Sequence, residues 1–392
     1  MKITDVKVIG CTFPVSEFGK GRRMYSAVLV RTFTDEGIEG IGQVTATPYE
    51  VACAIVDRLI RPTLIGRDPF DIERIVFDIY NFLHRRTYGY SLHVLGAIEM
   101  SLWDIMGKKL KLPVYKILGG KFRERVKVYA SPSWKCSGPA EDFAKHILTC
   151  YENGFDVVKI RLGFGFEHAV RTMKIIRDYV GYDIKLPVDL NCGYGPSTAV
   201  KLINALERYE PLWIEEPIPA TNIERYIELR KKVNVPIAAG EGHTPEEMVA
   251  LITRGGIDII QPDITHHGGF VKVKKICSIA EAYQVPVVLH AWSTQLVTAA
   301  SLHLALSTPN VLMVEFEVRD EREFIKEPLI VEGGYIKALE KPGLGIEIRD
   351  EVFEKYVYEE YPDFYKEDFL VKPIHGGEIP EDDYLNFYFK SS

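Results

Sequence analysis

Three carboxylates recur at a fixed interval in the second half of the sequence. Asp189, Glu215 and Glu241 each follow a short apolar segment, and each lies 26 residues from the next. If these segments are consecutive parallel strands, their carboxyl ends meet on one face and the three side chains stand side by side. Carboxylates this close repel one another unless they are protonated or neutralised by a cation. An oxygen-only ligand set favours a hard ion, and Mg²⁺ fits best because it takes few protein ligands and leaves positions for a substrate.

Other ionisable residues follow the neighbouring apolar segments. Asp263 ends the segment before the one that ends in His290, so the carboxylate can hold the imidazole in one tautomer and raise its basicity. A histidine placed in this way is typical of a proton carrier. An ion-pair network between the carboxylates and two cations, Lys159 and Arg161, is the structural alternative. Three more histidines follow strand ends closely, where a substrate contact, support of the site and a plain loop role are all open: His243, His266 and His267.

The alternation of segment types from residue 126 onward predicts the strands and helices that position these side chains. Short apolar segments alternate with helical segments, which indicates parallel strands joined by crossover helices. Eight such units suit a (β/α)8-type barrel, whose active sites lie at the carboxyl ends of the strands. The predicted strands are Val126–Ala130, Asp156–Leu162, Leu186–Leu190, Leu212–Glu215, Pro236–Ala239, Ile257–Gln261, Pro286–Leu289 and Leu312–Phe316.

The segments on either side of the predicted barrel have a different pattern. Period-two strands up to about residue 45, followed by helical spacing to residue 117, predict an α+β capping domain over residues 1–125. Within it, Leu95–Gly107 reads as a mostly buried helix that is closed by Gly119-Gly120. We expect the barrel to occupy residues 126–344 and the aromatic-rich segment 345–392 to pack back on the capping domain. The fold class is therefore α/β, a modified TIM barrel with an N-terminal cap completed by the C-terminal segment.

Composition excludes several functional classes. The 392 residues are 46% hydrophobic and 26% charged with a net charge of −7, which is typical of a globular protein and gives no footprint for a nucleic-acid partner. No apolar run approaches the ~18 residues of a membrane span, and the start lacks the apolar core of a signal peptide. We therefore expect a cytoplasmic protein with no membrane partner. The six cysteines form no C-x-x-C pair, which favours reduced thiols. Scarce glutamine beside plentiful Lys, Glu, Ile and Tyr is typical of thermophile proteins.

Several short motifs occur in a characteristic order along nearly the whole chain. They are AIEMSLWD at 97–104, VKIR at 158–161, VDLN at 188–191, WIEEP at 213–217, AGE at 239–241 and QPD at 261–263, followed by His290 and Glu315. In this order and spacing they resemble the enolase superfamily, and within it the mandelate racemase and muconate lactonising enzyme group. The resemblance implies one Mg²⁺ per subunit, a small carboxylate substrate that passes through an ene-diolate, and a homo-oligomer between dimer and octamer.

The resemblance also implies a role for each motif residue. The implied metal ligands are Asp189, Glu215 and Glu241. Proton transfer is implied for Asp263 and His290, and stabilisation of the ene-diolate for Lys159 and Glu315. In the pair Glu215-Glu216 the family uses the first position, and strand alternation agrees because only one of the two can face inward.

One residue departs from the pattern of the group's racemases and cycloisomerases. These usually carry Lys-x-Lys on the second barrel strand, whereas this chain has Lys159-x-Arg161. Because arginine stays charged and is a poor base, proton transfer between two bases is disfavoured and a reaction that His290 can carry out alone is favoured. We expect dehydration of an aldonic acid, a pentonate or hexonate such as D-xylonate, D-arabinonate or D-gluconate, to the 2-keto-3-deoxy acid. The expected substrate contacts are Arg161, Asn191, Arg22, Arg23 and Tyr25.

Two other functions were considered for this sequence. A racemase, epimerase or cycloisomerase of a carboxylate would use the same metal and the same ene-diolate. A non-catalytic barrel would be expected to have lost some metal or dyad residues, and all of them are present.

Overall fold

The chain begins with a three-stranded antiparallel sheet. The computed structural model describes residues 1–18, 20–84, 89–132 and 139–359. The strands, in spatial order, are β1 (Ile3–Glu17), β2 (Lys20–Thr34) and β3 (Glu39–Val44). β1 and β2 run well beyond the predicted strand segments, and the end of β1 reaches the barrel, where Ser16 pairs with Asp320. This hairpin therefore brings residues of the cap next to the segment that follows the last strand of the barrel.

Helices complete the capping domain. They are α1 (Tyr49–Ile55), a π-helical turn (Val56–Ile60), α2 (Arg61–Leu64), α3 (Ile72–His84), α4 (Tyr90–Leu110) and α5 (Val114–Ile117). The predicted buried helix is confirmed within α4, but its predicted end at Gly119-Gly120 is wrong. α4 ends at Leu110, and Lys111 takes a left-handed conformation with φ 56°. The reason is Pro113, which cannot continue a helix and disfavours helical geometry in the residue before it.

Eight parallel strands alternate with helices in the second part of the chain. The strands are β4 (Arg125–Ser131), β5 (Ile160–Arg161), β6 (Val188–Asp189), β7 (Ile214–Glu215), β8 (Ile237–Ala239), β9 (Ile259–Ile260), β10 (Val287–Leu289) and β11 (Val311–Glu317). The helices between them are α6 (Ala140–Glu152), α7 (Phe166–Val180), α8 (Pro196–Leu206), α9 (Ile223–Arg230), α10 (Pro245–Arg254), α11 (Phe270–Ala282) and α12 (Gln295–Ser307). All eight predicted strands are found in place, although most are shorter than predicted.

The strands form a closed ring, as predicted for a modified TIM barrel. Neighbouring strands pair in chain order from β5 to β11, and β11 then pairs with β4. Ala130 closes the ring, because its N–H donates to the Val157 carbonyl at 2.9 Å and its carbonyl accepts from the Lys159 N–H at 2.8 Å. An additional strand, β12 (Tyr335–Lys337), lies antiparallel on β4 and was not predicted.

An apolar layer fills the interior of the barrel below the strand ends. Tyr129, Val157, Trp213, Ala238 and Val288 form this layer, in which the rings of Tyr129 and Trp213 meet edge to face at 5.7 Å. Inward-facing residues of a barrel pack as layers and not as a pore. The ionisable groups at the strand ends therefore lie above a layer of packed, mostly apolar side chains.

A buried carboxylate fixes the cap on the barrel. Glu99 of α4 accepts hydrogen bonds from the first N–H groups of α11, those of Phe270 and Val271. Gly269 lies directly before this helix with φ 102°, and a Cβ at that position would lie 1.8 Å from Glu99 Oε2. A side chain at position 269 would therefore separate α4 from α11, so the glycine is required for this docking.

The end of the described chain lies on the capping sheet. After α13 (Glu351–Lys355), the N–H of Glu359 donates to Thr12 Oγ1 at 2.7 Å, and the ring of Tyr358 packs 4.9 Å from that of Tyr49. Most of the predicted aromatic segment, residues 360–392, lies outside the described residues, so the three-way division at residues 125 and 344 stays a prediction. No helix in the described part of the chain is both long and apolar enough to cross a membrane.

Candidate active site

The three regularly spaced carboxylates lie at neighbouring strand ends. Asp189 ends β6 and Glu215 ends β7, and the parallel register places them opposite each other. Glu241 follows β8 by two residues. Burial and the neighbouring Glu215 raise the pKa of Asp189 to about 7, which shows how much negative charge is crowded here.

The mouth of the barrel holds more acids than cations. Two cations and one imidazole lie among six carboxyl groups. The cations are Lys159 and Arg161, the imidazole is that of His290, and the acids are Asp189, Glu215, Glu216, Glu241, Asp263 and Glu315. Burial and the charge of Glu241 raise the pKa of Glu216 well above its usual range. A site with this surplus of buried carboxylates suits a divalent cation, and an all-oxygen donor set suits Mg²⁺ better than Zn²⁺.

Each of the three carboxylates also contacts a cationic side chain. Lys159 Nζ lies 2.6 Å from Glu215 Oε1 and 3.6 Å from Asp189 Oδ2, while Glu241 Oε2 lies 2.9 Å from His290 Nε2. Among the described residues, the set of three His, Cys, Asp or Glu ligand atoms that lie within 4.8 Å of one another is Asp263, His266 and His290. We attribute that set to the proton-transfer pair and its neighbour, because Asp263 already accepts a hydrogen bond from His290.

Lys159 is the buried centre of the charge network. Its ammonium lies 2.9 Å from Glu315 Oε1 in addition to its contact with Glu215. Burial alone would lower the pKa of Lys159, but Glu215 and Glu315 outweigh it and hold the pKa well above the usual value. Lys159 is therefore a permanent cation that can donate to oxygen atoms and is not a base.

Arg161 is held by the end of the first barrel strand. Its guanidinium donates to the Pro132 carbonyl at 2.7 Å and to Ser131 Oγ at 3.2 Å, and its Nε lies 3.8 Å from Asp189 Oδ2. Burial acts to lower the pKa of Arg161, but Asp189 and other carboxylates raise it above its usual value. The second cation of VKIR thus braces Asp189 and cannot accept a proton at neutral pH.

His290 and Asp263 form the predicted pair. Nδ1 of His290 lies 2.7 Å from Asp263 Oδ2, which leaves Nε2 as the atom that faces the carboxylates of the mouth. Burial would lower the pKa of His290, but Glu241, Glu315 and Asp263 together raise it well above its usual value. The geometry thus pairs His290 with Asp263, and the role of His290 as the base stays a prediction.

Glu315 lies between the lysine and the histidine. Its Oε2 accepts from the Ala291 N–H at 3.2 Å and lies 3.6 Å from His290 Nε2. Burial acts to raise the pKa of Glu315, but Lys159 and His290 outweigh burial and lower this pKa to about 2. The carboxyl group therefore stays ionised.

Three residues beside the carboxylates have strained backbone conformations that were not predicted from the sequence. Asn191, Cys192 and Glu216 all adopt positive φ, at 44°, 57° and 40°, which is uncommon for residues other than glycine. Asn191 donates from its backbone and its side chain to Asp189 at 2.8 and 2.9 Å, and the Cys192 thiol donates to Glu216 at 3.4 Å. Asn191, a predicted substrate contact, thus orients Asp189, and a contact with substrate stays a prediction.

Comparison with known proteins assigns the family. Residues 142–352 match the family model for "Enolase C-terminal domain-like", and residues 8–119 match that for "Mandelate racemase / muconate lactonizing enzyme, N-terminal domain". The chain belongs to the enolase superfamily.

Relatives within the enolase superfamily include more than one type of reaction. The chain is 32% identical to D-galactarolactone cycloisomerase from Agrobacterium fabrum over 91% of this chain and 99% of that protein. It is 33% identical to D-galactonate dehydratase from Cronobacter sakazakii over 81% of this chain and 87% of that protein. A crystal structure of a candidate galactarate dehydratase from Agrobacterium radiobacter, with bound sodium and L-malate, superposes with a TM-score of 0.82 at 27% identity and covers 92% of this chain and 96% of that one.

The predicted cap contacts of this enolase-superfamily site have other partners. Arg23 pairs with Glu17 at 2.8 Å, and the ring of Tyr25 lies 3.6 Å from the guanidinium of Arg319. The side chain of Arg22 lies outside the described residues. A substrate contact for these three residues stays a prediction, and the structure places them on the hairpin that reaches the barrel.

The sequence missed one buried charge cluster beside the mouth. Arg319, which lies two residues beyond β11, pairs with Glu317 at 2.9 Å and with Glu321 at 3.5 Å under the ring of Tyr25. The alternation of Glu315, Glu317 and Arg319 on one face of the strand was the available signal.

The three additional histidines have three different environments. Both ring nitrogens of His267 are used, by the backbone of Asp263 and of His243. His243 is buried, and burial lowers its pKa to about 4. His266 is partly exposed, with its ring centre 5.4 Å from that of His290. Only the last of the three thus lies beside the proton-transfer pair.

Proposed function

We propose that this enolase-superfamily enzyme dehydrates a sugar acid, removing water from C2 and C3 of an aldonate to give the 2-keto-3-deoxy acid. The observation that carries the proposal is that the described mouth combines a single His–Asp pair with an arginine in place of a second basic lysine. Arg161 is fixed by Pro132, Ser131 and Asp189 and cannot act as a base from the opposite face of C2.

The site residues divide the reaction between them. We assign metal ligation to Asp189, Glu215 and Glu241, where a bound Mg²⁺ would supply a Lewis acid that favours negative charge on the substrate carboxylate. Lys159 donates hydrogen bonds to the oxygens of the developing ene-diolate. Glu315 keeps Lys159 in place through the 2.9 Å contact.

Proton transfer falls to the histidine. Because His290 Nδ1 is bound to Asp263, its Nε2 accepts the proton from C2. The electron pair left at C2 expels the C3 hydroxyl, which takes a proton from the imidazolium and departs as water. The enol that remains gains a proton at C3 and loses the proton of its C2 hydroxyl to water, which gives the 2-keto-3-deoxy acid, so atoms and charges balance without any other reactant.

Two kinds of support favour an aldonate as the substrate. The 33% identical relative is a D-galactonate dehydratase, and a carboxylate with a hydroxylated chain fits a mouth that is rich in polar groups. D-galactonate therefore joins D-gluconate, D-xylonate and D-arabinonate as candidates.

A panel of stereoisomeric aldonates tests the proposal. The purified protein is incubated with Mg²⁺ and each acid, and the 2-keto-3-deoxy product is measured. At least one aldonate should give the keto acid, and His290→Asn should remove this activity. If the protein converts no aldonate but exchanges their C2 protons with solvent deuterium, the dehydratase assignment fails.

A cycloisomerase is the second candidate because of one specific observation. D-galactarolactone cycloisomerase matches this chain over nearly its full length. Incubation with D-galactarolactone in D₂O separates the two functions. A cycloisomerase gives an isomeric product whose mass is unchanged apart from deuterium. Dehydration of an aldonate gives a product that is lighter by the 18 mass units of water. Turnover of the lactone without turnover of any aldonate would favour the cycloisomerase.

A further inference from the structure

A stack of two imidazoles links the capping domain to the proton-transfer pair. The ring of His93, in α4 of the cap, lies on that of His266 with 4.6 Å between centres and 24° between planes. The ring centre of His266 is in turn 5.4 Å from that of His290. The proposed base thus has a second imidazole beside it that the mechanism above does not use.

The hydrogen bonds of His266 leave one ring nitrogen available. Its Nδ1 lies 3.3 Å from the carbonyl oxygen of Glu241, so in the neutral ring this nitrogen carries the proton and donates it. Nε2 has no hydrogen-bond partner among the described residues, and its lone pair is free to accept. The backbone N–H of His266 donates to Asp263 Oδ1 at 3.2 Å, which ties the residue to the dyad carboxylate.

The cap holds His93 in place. Nδ1 of His93 lies 3.0 Å from the Thr45 carbonyl oxygen and 3.2 Å from Thr47 Oγ1, both in the segment after β3. The hydroxyl of Thr45 also bonds that of Thr265, the neighbour of His266. The cap therefore contacts the loop of His266 at two adjacent residues, Thr265 and His266.

We propose that His266 contacts the substrate, with its Nε2 accepting a hydrogen bond from a chain hydroxyl beyond C3, and that His93 is the residue that positions it. The inference deepens the proposed function and rests on it, since it takes the substrate to be a hydroxylated carboxylate. The ring centres of His290 and His266 are 5.4 Å apart, so a carbon chain whose C2 lies at His290 can reach His266 within a few bond lengths. Several carboxylates of the mouth are already paired with Lys159, Arg161 or His290, whereas Nε2 of His266 has no hydrogen-bond partner among the described residues and can accept from a hydroxyl.

The test compares an aldonate with analogues that lack one hydroxyl. A site that is built to bond a hydroxyl discriminates strongly against a ligand without it. We expect wild-type kcat/KM for C2 deuterium exchange to fall by about 10²-fold or more for the 4-deoxy or the 5-deoxy acid. His266→Phe keeps the ring stack and removes Nε2, so it should lower kcat/KM for the parent acid, mainly through KM, and abolish the discrimination. His266→Gln, which restores an acceptor, should recover part of it.

The same readout tests the positioning residue. His93→Phe preserves the stacked ring and should keep the discrimination, whereas His93→Ala removes the support and should lower it without changing the preference for Mg²⁺. Circular dichroism and melting curves establish that each variant is folded. If His93→Phe and His93→Ala behave alike in a folded protein, the positioning role is refuted.

Binding separates this inference from the proposed function. Isothermal titration of each parent aldonate and its deoxy analogues, with Mg²⁺ present, reports the hydroxyl contact even when no turnover occurs. Weaker binding of the parent acid by His266→Phe, with unchanged binding of one deoxy acid, supports the contact even where no dehydration is observed. Active dehydration by the wild type, together with unaltered discrimination in His266→Phe, overturns the contact and leaves the proposed function standing.

Discussion

Replacing Asp263 with asparagine should reverse the tautomer of His290, the proposed base. Oδ1 of Asp263 accepts from the Thr265 N–H and Oγ1–H at 2.6 Å each and from the His266 N–H at 3.2 Å, while Oδ2 faces His290 Nδ1 at 2.7 Å. The three donors around Oδ1 will keep the amide oxygen of an asparagine on their side. Its NH₂ group must then face His290 and donate to Nδ1, so the ring proton moves to Nε2 and the base loses its free lone pair.

The magnitude follows from the loss of general-base catalysis. A positioned acid or base contributes about 10²–10⁴-fold, and each factor of ten in rate equals about 1.4 kcal/mol of activation free energy. We expect Asp263→Asn to lower the rate of C2 deuterium exchange by about 10²–10⁴-fold and dehydration by the same factor, because both need the same proton transfer. The assay is loss of the C2 proton signal by NMR in D₂O, beside keto-acid formation.

A matched control isolates the tautomer from general damage to the loop. Thr265→Val removes the hydroxyl bond to Asp263 Oδ1 but leaves the Oδ2 contact with His290 intact, so exchange should fall by less than about 10-fold. Exchange by a folded Asp263→Asn variant within about threefold of the wild type would refute the reasoning, since the base would then not depend on the carboxylate that orients it.

Three other predictions concern the metal, the arginine and acid stability. Glu241→Ala should remove turnover and its dependence on Mg²⁺ together, and Mg²⁺-stimulated turnover by this variant would contradict the ligand assignment. Arg161→Lys should not dehydrate faster than the wild type, and keto-acid formation rates decide this. Burial and the neighbouring His266 lower the pKa of His93 to about 3, so the neutral ring is favoured in the fold and its stabilisation, present above pH 6.5, is lost as pH falls from 6.5 towards 3, by at most about 1.4 kcal/mol per pH unit. His93→Phe should reduce this loss, measured as the urea-unfolding free energy at pH 7 and pH 4.5, and an unchanged difference would argue against a buried neutral imidazole.

The barrel and its ring of charged strand ends could be predicted because both depend on local order in the sequence. Once the apolar segments are assigned to parallel strands, the position of Asp189, Glu215 or His290 at the mouth follows from chain order alone. The pairing of Asp263 with His290 followed in the same way, since neighbouring strand ends are neighbours in space.

The contacts between cap and barrel could not be predicted by that reasoning. Tyr25 lies on Arg319, and His93 lies on His266, yet nothing in the sequence near either residue indicates its partner. These contacts depend on how α4 and the β1–β2 hairpin dock on the barrel. The docking itself depends on the fit of Glu99 to the start of α11, which requires the absence of a side chain at Gly269.

The conformation of the chain after the strands was also beyond sequence reasoning. The left-handed backbone of Asn191 turns its backbone N–H and its side-chain amide onto Asp189, a contact that nothing in the sequence indicated. Such a strained position is maintained only because the surrounding strand ends determine it, so it has no local signature.

The arrangement of the two cations on β5 explains why proton transfer from one face of C2 fits this site. Lys159 and Arg161 lie two residues apart and therefore face the same side of the strand. Lys159 is enclosed by Glu215 and Glu315, and Arg161 spans from Asp189 to the end of β4. A lysine at position 161 would carry its three N–H donors on one atom, so it could not span Asp189, Ser131 and the Pro132 carbonyl as the three nitrogens of Arg161 do. The arginine thus supports a carboxylate of the proposed metal site and, for the same reason, leaves that face of the substrate without a base. Under the proposed function His290 would therefore be the one base at the described mouth that moves the C2 proton, and loss of the adjacent hydroxyl is an outcome that a single base can complete.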